Sequence, residues 1–181
     1  MKLLIASDIH GDFDSAQMLI SLYKKEGCDK VLLLGDILYH GPRNDLPSGY
    51  NPKEVIKLLN ANRDKILAVR GNCDTEVDQM VLDFPILADY CYLLLDGLSV
   101  FATHGHTFNL ETLPPLRENE ILLHGHTHVL KCQSFGDNNT YLNPGSISLP
   151  KENNPKTYMV YENRRFIVKD ILGNTIFIKQ F

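Results

Sequence analysis

Five short polar motifs in this sequence each follow an apolar run, and every one of them carries side chains that bind metal ions. Six of the seven histidines lie in these motifs. Imidazole, carboxylate and amide ligands together suit manganese, iron, zinc, cobalt and nickel better than calcium or magnesium. The motifs are Asp8-Ile9-His10, Gly35-Asp36, Gly71-Asn72-Cys73-Asp74, His104-Gly105-His106 and His124-Gly125-His126-Thr127-His128.

The spacing within two of the motifs suggests a centre with two metal ions. Asp8 and His10 are two residues apart, so on an extended segment they point to the same side and could hold one ion. His126 and His128 share this spacing, with Cα atoms about 6–7 Å apart on an extended chain. Paired ions in phosphate-cleaving sites lie about 3.5–4 Å apart, so each of these histidines could serve a different ion.

Two further residues complete this expected centre. A carboxylate can bridge two ions because it has two oxygens, and Asp36 is the best placed candidate. Asn72 offers a neutral carbonyl oxygen, which binds a cation without adding negative charge. Ligand chemistry alone does not choose among manganese, zinc, iron, cobalt and nickel, and of these metals we expect manganese.

The apolar runs predict the strands that position these motifs. Residues 3–6, 31–34 and 66–69 are short buried runs that alternate with two helical patterns, capped by Asp12 and Asn51. The order β-α-β-α-β implies parallel strands with helices across their faces. Ligands gather outside the carboxyl ends of such strands, so motifs far apart in sequence can converge on one site.

The second half of the chain is richer in strands. Asp96-Gly97 between apolar runs predicts a hairpin with a type I′ turn, and a strand at 120–123 ends at the last His-rich motif. Further strands are predicted at 129–134, 140–142, 157–161, 166–171 and 175–179. We expect residues 1–181 to form a single domain of two packed, mixed sheets with helices outside.

Composition excludes several classes of partner. The chain has 181 residues, with 18 Lys plus Arg against 22 Asp plus Glu, and its formal charge of −4 argues against long nucleic acids and anionic membranes. No run approaches the roughly 18 apolar residues of a membrane helix. The four cysteines form no C-x-x-C pair. We therefore expect a cytoplasmic protein with reduced thiols.

Several stretches carry a family resemblance. The sequence resembles the calcineurin-like metallophosphoesterases, and among them the small bacterial phosphodiesterases of the YfcE type. This resemblance implies the metallophosphoesterase fold, a four-layered α/β-sandwich of two mixed β-sheets flanked by helices, with a dinuclear metal centre. The matching stretches are SDIHG (7–11), GDILYHGPRN (35–44), AVRGNCDTEVDQM (68–80), THGH (103–106), GHTH (125–128) and NPGSISLPK (143–151).

The resemblance also implies two ligand sets that share one carboxylate. One metal would take Asp8, His10, Asp36 and His128. The second would take Asp36, Asn72, His104 and His126. The expected reaction is hydrolysis of a small phosphodiester by attack of a hydroxide bound to both metals.

The remaining polar residues are expected around the metal ligands or at the rim of the site. His106 is expected beside the metal ligands rather than among them, and His124 in a structural or rim position. The loop after His40 is either a solvated loop or a substrate-facing one, in which Arg43 would hold a phosphate oxygen.

The proton donor for the leaving group is an open question. Many relatives in the wider superfamily carry histidine where this chain has Cys73, whose thiol could donate a proton or merely fill the wall of the site. Asp74 is expected to orient Cys73 or Asn72. We therefore expect esters with good leaving groups to react faster than alkyl esters.

Other functions are compatible with the same residues. A phosphomonoesterase or nuclease could use the same centre. A catalytically inactive scaffold could share the fold, although here every matched ligand position is filled. The aromatic residues of the last strands belong either to the core or to a homo-oligomer contact; they are Tyr158, Tyr161, Phe177 and Phe181.

Overall fold

The computed structural model describes residues 1–181 and contains eleven strands and three α-helices. In chain order the elements are β1 (Leu3–Ala6), α1 (Phe13–Glu26), β2 (Lys30–Leu33), α2 (Pro52–Asn60), β3 (Ile66–Ala68), α3 (Glu76–Gln79), β4 (Tyr90–Leu95), β5 (Leu98–Thr103), β6 (Ile121–Leu123), β7 (Leu130–Phe135), β8 (Asn139–Pro144), β9 (Thr157–Glu162), β10 (Arg165–Asp170) and β11 (Thr175–Gln180).

The strands form two mixed sheets. The six-stranded sheet has the order β11-β10-β9-β1-β2-β3, in which β1, β2 and β3 are parallel and β9 is antiparallel to β1. The five-stranded sheet has the order β4-β5-β6-β8-β7, in which β5, β6 and β8 are parallel. This α/β arrangement of two mixed sheets confirms the predicted fold class.

The two sheets pack face to face over a shared apolar core. Alternate residues of β1 serve opposite faces: Leu3 and Ile5 point toward the other sheet, whereas Leu4 and Ala6 pack on the helical side. The inter-sheet core is completed from both sheets by Leu32, Leu34, Val100, Ala102, Ile121, Leu123, Leu142, Met159 and Phe166, among others.

The two longer helices cover the outer face of the six-stranded sheet. Helix α1 buries Ala16, Leu19 and Ile20 there and ends at Gly27, whose φ of 64° is the left-handed conformation that glycine adopts readily. Asn51 caps α2 by accepting a hydrogen bond from the Glu54 N–H, as predicted. Asp12 precedes α1 but its side chain does not cap it, because that carboxylate instead accepts hydrogen bonds from the Ser15 hydroxyl and Lys156.

The outer face of the five-stranded sheet is covered by the segment 104–119, which contains no regular element. Its Phe108, Leu110 and Leu116 pack on Phe101, Leu122 and Tyr141 of the sheet. The hairpin between β4 and β5 has positive φ at Asp96 (50°) and Gly97 (82°), in agreement with the predicted type I′ turn.

The aromatic residues of the last strands belong to the core. Tyr158 and Tyr161 are fully buried, and Phe177 and Phe181 are partly buried against the inter-sheet cluster. The four-residue helix α3 was not predicted; Thr75 and Asp78 form a capping box at its start. No helix is long and apolar enough to cross a membrane.

The inter-sheet core supplies a stability prediction. Leu32→Ala removes a fully buried side chain, so we expect it to lower the free energy of unfolding by about 2–5 kcal/mol. Leu94→Ala is the matched control, because that side chain is 82% exposed and should change the free energy by less than about 0.5 kcal/mol. Urea unfolding of both variants measures the difference, and equal effects would contradict the assigned core.

Candidate active site

The structure brings all five polar motifs to one edge of the molecule. Each motif begins within three residues of the end of a strand, namely β1, β2, β3, β5 or β6. The first three strands are parallel neighbours in one sheet, and the last two are parallel neighbours in the other. Their carboxyl ends therefore meet where the two sheets face each other, as the sequence predicted.

The backbone of these motifs differs from the prediction. Extended segments were expected to align Asp8 with His10 and His126 with His128, but that geometry is wrong. All four residues, and Asp36 as well, have positive φ values between 51° and 67°. Such left-handed residues cost about 1–2 kcal/mol each and persist only when their surroundings hold them.

Hydrogen bonds from a distant segment hold the first of these strained turns. The hydroxyls of Ser146 and Ser148 both donate to the Asp8 carbonyl, at 3.0 and 2.6 Å. The His126 N–H donates to Asp8 Oδ2 at 3.1 Å. The turn after β1 is thus fixed by the segment after β8 and by the turn after β6.

One group of ligand atoms gathers around Asp8. Its Oδ1 lies 3.3 Å from His128 Nε2 and 3.7 Å from His10 Nε2, and the two histidine nitrogens are 3.1 Å apart. All three side chains are buried, and Asp8 Oδ1 has no hydrogen-bond partner. These atoms form one candidate metal-binding group.

A second group gathers around His104. Its Nε2 lies 3.0 Å from Asn72 Oδ1 and 3.1 Å from His126 Nδ1. The Asn72 amide donates through Nδ2 to Cys73 Sγ at 3.3 Å, which directs Oδ1 toward His104.

Asp36 lies between the two groups. Its Oδ2 is 3.6 Å from His10 Nε2 and 3.4 Å from His104 Nε2. Its Oδ1 accepts a hydrogen bond from the Cys73 N–H at 2.8 Å. This position is the one that a bridging carboxylate needs.

The hydrogen bonds of the histidines test whether these residues suit cations. In three rings Nδ1 contacts a backbone carbonyl, which can only accept, so Nδ1 carries the proton and the neutral ring has a bare Nε2. The pairs are His10 with Tyr39, at 2.8 Å, His104 with Leu34, at 2.6 Å, and His128 with Leu149, at 2.6 Å.

In the neutral form that binds metal, these rings therefore turn acceptor atoms toward one another across the cluster. The bare Nε2 atoms of His10 and His128 lie beside the unpartnered Asp8 Oδ1, and the bare Nε2 of His104 lies beside Asn72 Oδ1. Lone pairs held this close repel one another unless a cation lies between them. The donor set thus fits divalent metal ions, and mixed nitrogen and oxygen ligands suit the transition metals.

The pKa values of Asp36 and His104 show that this cluster favours positive charge. Burial opposes ionisation of Asp36, but the hydrogen bond and charge of His104 outweigh it and hold the pKa well below its usual range. Burial likewise disfavours charge on His104, yet Asp36 and Asp8 raise the pKa of that ring to about 9, so without a metal ion a second proton on Nε2 supplies the positive charge that a bound metal would supply. Burial and the neighbouring His104 charge lower the pKa of His126 to about 4, which keeps it in the neutral form that binds metal.

Asp74 holds the loops that carry Asp36. Its carboxylate accepts hydrogen bonds from the backbone N–H groups of Asp36 (2.8 Å), Ile37 (2.9 Å) and Gly71 (2.7 Å). Burial raises the pKa of Asp74 to about 6. The structure thus places Asp74 on the backbone of the turns after β2 and β3, whereas the sequence suggested the side chains of Cys73 or Asn72.

A cavity of about 310 Å³ opens over the cluster. Asp36, Asn72, Cys73, His126 and His128 line it on the side of the cluster. The lining also includes Gly41, Pro42, Arg43, Asn44, Thr127 and Lys151. We call this cavity the phosphate pocket.

The loop after β2 faces this pocket, which answers one question that the sequence left open. Arg43 lines the pocket, and Asn44 braces the loop by donating to the His40 carbonyl at 2.8 Å. His40 does not line it and instead packs edge-on against Tyr39 and Tyr50. Sequence reasoning missed Lys151, although it ends the matched stretch 143–151.

Burial keeps the nearby thiol of Cys73 protonated at neutral pH. Desolvation, together with the negative charge of Asp36, raises the pKa of Cys73 to about 12. All four cysteines are free, and Cys73 is buried at the wall of the phosphate pocket.

The other two histidines of the motifs lie beside the cluster. The exposed ring of His106 is centred 5.4 Å from that of His104 and 6.3 Å from that of His126. His124 is buried and packs on Tyr141, with ring centroids 4.4 Å apart. Burial lowers the pKa of His124 to about 4, so the ring is neutral.

Residues 1–165 match the family model described as the calcineurin-like phosphoesterase superfamily domain. The chain belongs to this superfamily. Phosphodiesterase YfcE of Escherichia coli strain K12 is 47% identical over 163 residues, which are 90% of this chain and 88% of that protein. A solved structure of YfcE, described as a phosphoesterase, covers 99% of this chain and 98% of its own, with a TM-score of 0.95 and 43% identity.

More distant members of the superfamily extend the comparison. A phosphodiesterase of Methanocaldococcus jannaschii is 28% identical over 152 residues, which are 80% of this chain and 83% of that protein. Vacuolar protein sorting 29 from Cryptosporidium parvum, at 16% identity and a TM-score of 0.61, covers 99% of this chain and 97% of its own. That last likeness concerns the fold alone. As a calcineurin-like phosphoesterase, the protein is a phosphoric ester hydrolase whose fold implies divalent metal ions.

Gly71 provides a test of how the backbone holds Asp36. A Cβ at this position would overlap both Asp36 Oδ1 and the Asp36 backbone nitrogen. We expect Gly71→Ala to weaken manganese binding by about 10–100-fold, the usual effect of disturbing groups that hold metal ligands. Isothermal titration calorimetry measures the change.

Gly27→Ala is the matched control. The added Cβ meets nothing within 4 Å, although its φ of 64° imposes a backbone cost of about 1–2 kcal/mol. This variant should lose stability and keep its manganese affinity. Equal affinities in both variants would show that Gly71 does not position the bridging carboxylate.

Proposed function

We propose that the protein hydrolyses a small phosphodiester in the phosphate pocket, with two divalent metal ions held beneath it. The cluster of mutually facing acceptor atoms carries this proposal, because it needs cations and borders the pocket. The phosphodiesterase class has the support of two relatives with that activity, at 47% and 28% identity.

Each ion would have four ligands, and the two sets share Asp36. Asp8, His10, Asp36 and His128 would hold the first ion. Asp36, Asn72, His104 and His126 would hold the second. When bound, the two ions lower the pKa of a water and neutralise charge on the phosphoryl oxygens. We propose manganese as the metal, and the mixed nitrogen and oxygen ligands support it.

Two basic side chains would bind the substrate phosphate. Arg43 and Lys151 both line the phosphate pocket, where they can donate to the non-bridging oxygens of a diester. The flat guanidinium of Arg43 can contact two oxygens at once, while Lys151 supplies a compact charge. Both cations favour an anionic ligand in the pocket.

Cys73 would act as a wall and positioning residue. Its sulfur accepts the hydrogen bond that turns Asn72 Oδ1 toward His104, and its backbone N–H holds Asp36. An imidazole at this position could protonate the leaving group, but this chain has a thiol instead. We therefore propose that the leaving group departs with little protonation from the protein.

The setting of the enzyme follows from its surface and its thiols. A formal charge of −4 disfavours long nucleic acids as substrates, so we propose a small diester over a nuclease substrate. A scaffold without activity is disfavoured because every expected ligand position is filled. The free cysteines support a reducing, cytoplasmic location. A homo-oligomer stays a prediction.

Asp36→Asn tests the proposed bridge. The amide removes one negative charge and one of two equivalent oxygens, so we expect kcat/KM on bis(4-nitrophenyl) phosphate to fall on the order of 1,000-fold. Manganese retention after dialysis should fall as well. Asp137→Asn, at an exposed turn, is the matched control and should behave like the unaltered protein. Near-normal turnover of Asp36→Asn would overturn the assignment.

A leaving-group series tests the proposed lack of a strong proton donor. We expect kcat/KM to decline steadily as the pKa of the departing phenol rises across a set of aryl diesters, and to be lowest for dialkyl esters. Steady-state rates with manganese give the slope. A flat series, with chemistry shown to limit the rate by single-turnover kinetics, would contradict the proposal.

A further inference from the structure

A second cavity of about 430 Å³ adjoins the phosphate pocket. The two share His126 and Thr127 in their walls, so a ligand whose phosphate occupies the pocket can extend past these residues. We call it the side cavity. Neither the metal ligands nor the reaction described above accounts for it.

The side cavity has a different chemical character from the phosphate pocket. Its charged residues are of both signs, with Lys131 opposed by Glu111 and Glu152, so it offers no surplus of positive charge to a second phosphate. Only three of its 13 lining residues are hydrophobic. Such a lining suits a neutral group that can make several hydrogen bonds.

His124 contributes an acceptor that the protein leaves unused. The residue is only 3% exposed, and it is among the residues that line the side cavity. Nδ1 lies 3.0 Å from the Gly125 carbonyl, so this nitrogen carries the proton and Nε2 is an acceptor. Nε2 is buried and has no partner in the protein. An unpaired buried acceptor costs free energy, which a donor on a ligand would recover.

The three charged residues of the side cavity favour the same kind of donor. Glu111 and Glu152 can also only accept when ionised, whereas Lys131 can only donate. Acceptors therefore outnumber donors among these four side chains. Hydroxyl groups match this lining because each can donate to a carboxylate or imidazole and still accept from an ammonium group.

A third cavity, of about 410 Å³, provides the contrast. It adjoins the phosphate pocket at Cys73, and seven of its ten lining residues are hydrophobic, Tyr39, Val77 and Val81 among them. An apolar ester group in this third cavity would remove water from fewer polar protein groups than it would in the side cavity. The two ester groups of a diester could therefore occupy two cavities of different chemical character, the side cavity and the apolar one.

We propose that the side cavity is the subsite for one ester group of the diester, and that it selects a hydroxyl-bearing, polyol- or sugar-like group whose hydroxyl donates to His124 Nε2. This inference rests on the proposed function, because it needs the substrate phosphate in the phosphate pocket. It assigns to His124 a role in substrate selection rather than in metal binding.

Binding of two phosphate monoesters tests the inference without relying on turnover. Glycerol 3-phosphate and propyl phosphate have the same three-carbon chain and phosphate, and differ by two hydroxyls. Titration calorimetry on the manganese-loaded protein should give a Kd about tenfold lower for glycerol 3-phosphate, as expected for a hydrogen bond to a buried acceptor. Equal values, or tighter binding of propyl phosphate, would overturn the proposal.

His124→Phe isolates the acceptor. Phenylalanine can still pack on Tyr141 but lacks Nε2, so the ratio of the two Kd values should fall to about one. His124→Gln can return an acceptor oxygen and should restore part of the preference. His40→Phe is the matched control, since His40 lies outside all three cavities, and it should keep the full ratio.

The outcomes separate this inference from the proposed function. Failure to hydrolyse bis(4-nitrophenyl) phosphate with any divalent metal would refute the diesterase function, whereas the Kd ratio reads the side cavity alone. If His124→Phe does not fold, the ratio in the unaltered protein and in His124→Gln still decides. A preference that survives both His124 variants would show that the selecting acceptor lies elsewhere.

Discussion

The carboxylate of Asp36 can bridge two groups of ligands only because two chain turns approach each other without a side chain between them. The turn after β3 passes Asp36 at Gly71, where any Cβ would overlap the carboxylate and its backbone nitrogen. Asp74 then ties both turns together through three backbone N–H groups. The rest of the centre is arranged around this fixed carboxylate, with His10 on one side and His104 on the other.

This close arrangement is unfavourable for the protein alone. Buried acceptor atoms face each other, and five residues of the cluster have left-handed backbone conformations. The two packed cores beneath and the hydrogen bonds from Ser146, Ser148 and Asp74 must therefore hold the groups in place. Cations between the acceptors convert the repulsion into attraction, so metal binding should also stabilise the fold.

The sequence was sufficient to predict the strands and their convergence, because both follow from local patterns. Short apolar runs such as Leu3–Ala6 mark buried strands, and the polar residues directly after them must lie at the carboxyl edge. The spacing Asp8-x-His10 also indicated a shared ligand group. Its geometric reason was wrong, since left-handed turns rather than an extended chain bring the two side chains together.

What the sequence could not reveal depends on contacts between distant segments. The hydrogen bond from the Ile37 N–H to Asp74 joins residues that are 37 apart in sequence. The hydrogen bond from Ser148 to Asp8 joins residues that are 140 apart. Lys151 enters the phosphate pocket from a segment with no pattern of its own. The burial of Tyr158 and Tyr161 likewise follows from the central position of β9, which no local periodicity encodes.

The same division explains where chemistry and selectivity lie in this fold. The expected metal ligands at the phosphate end of a substrate directly follow strands, whose positions are fixed by sheet pairing. Its ester groups meet residues from the long connections: the segment 104–119 contributes Glu111 to the side cavity, and the connection between β2 and α2 contributes Tyr39 to the apolar one. The side chains of Glu111 and Tyr39 can change without moving Asp36, because the hydrogen bonds that hold Asp36 involve Asp74 and the Cys73 N–H. A single metal centre can therefore serve different diesters through changes in its flanking cavities alone.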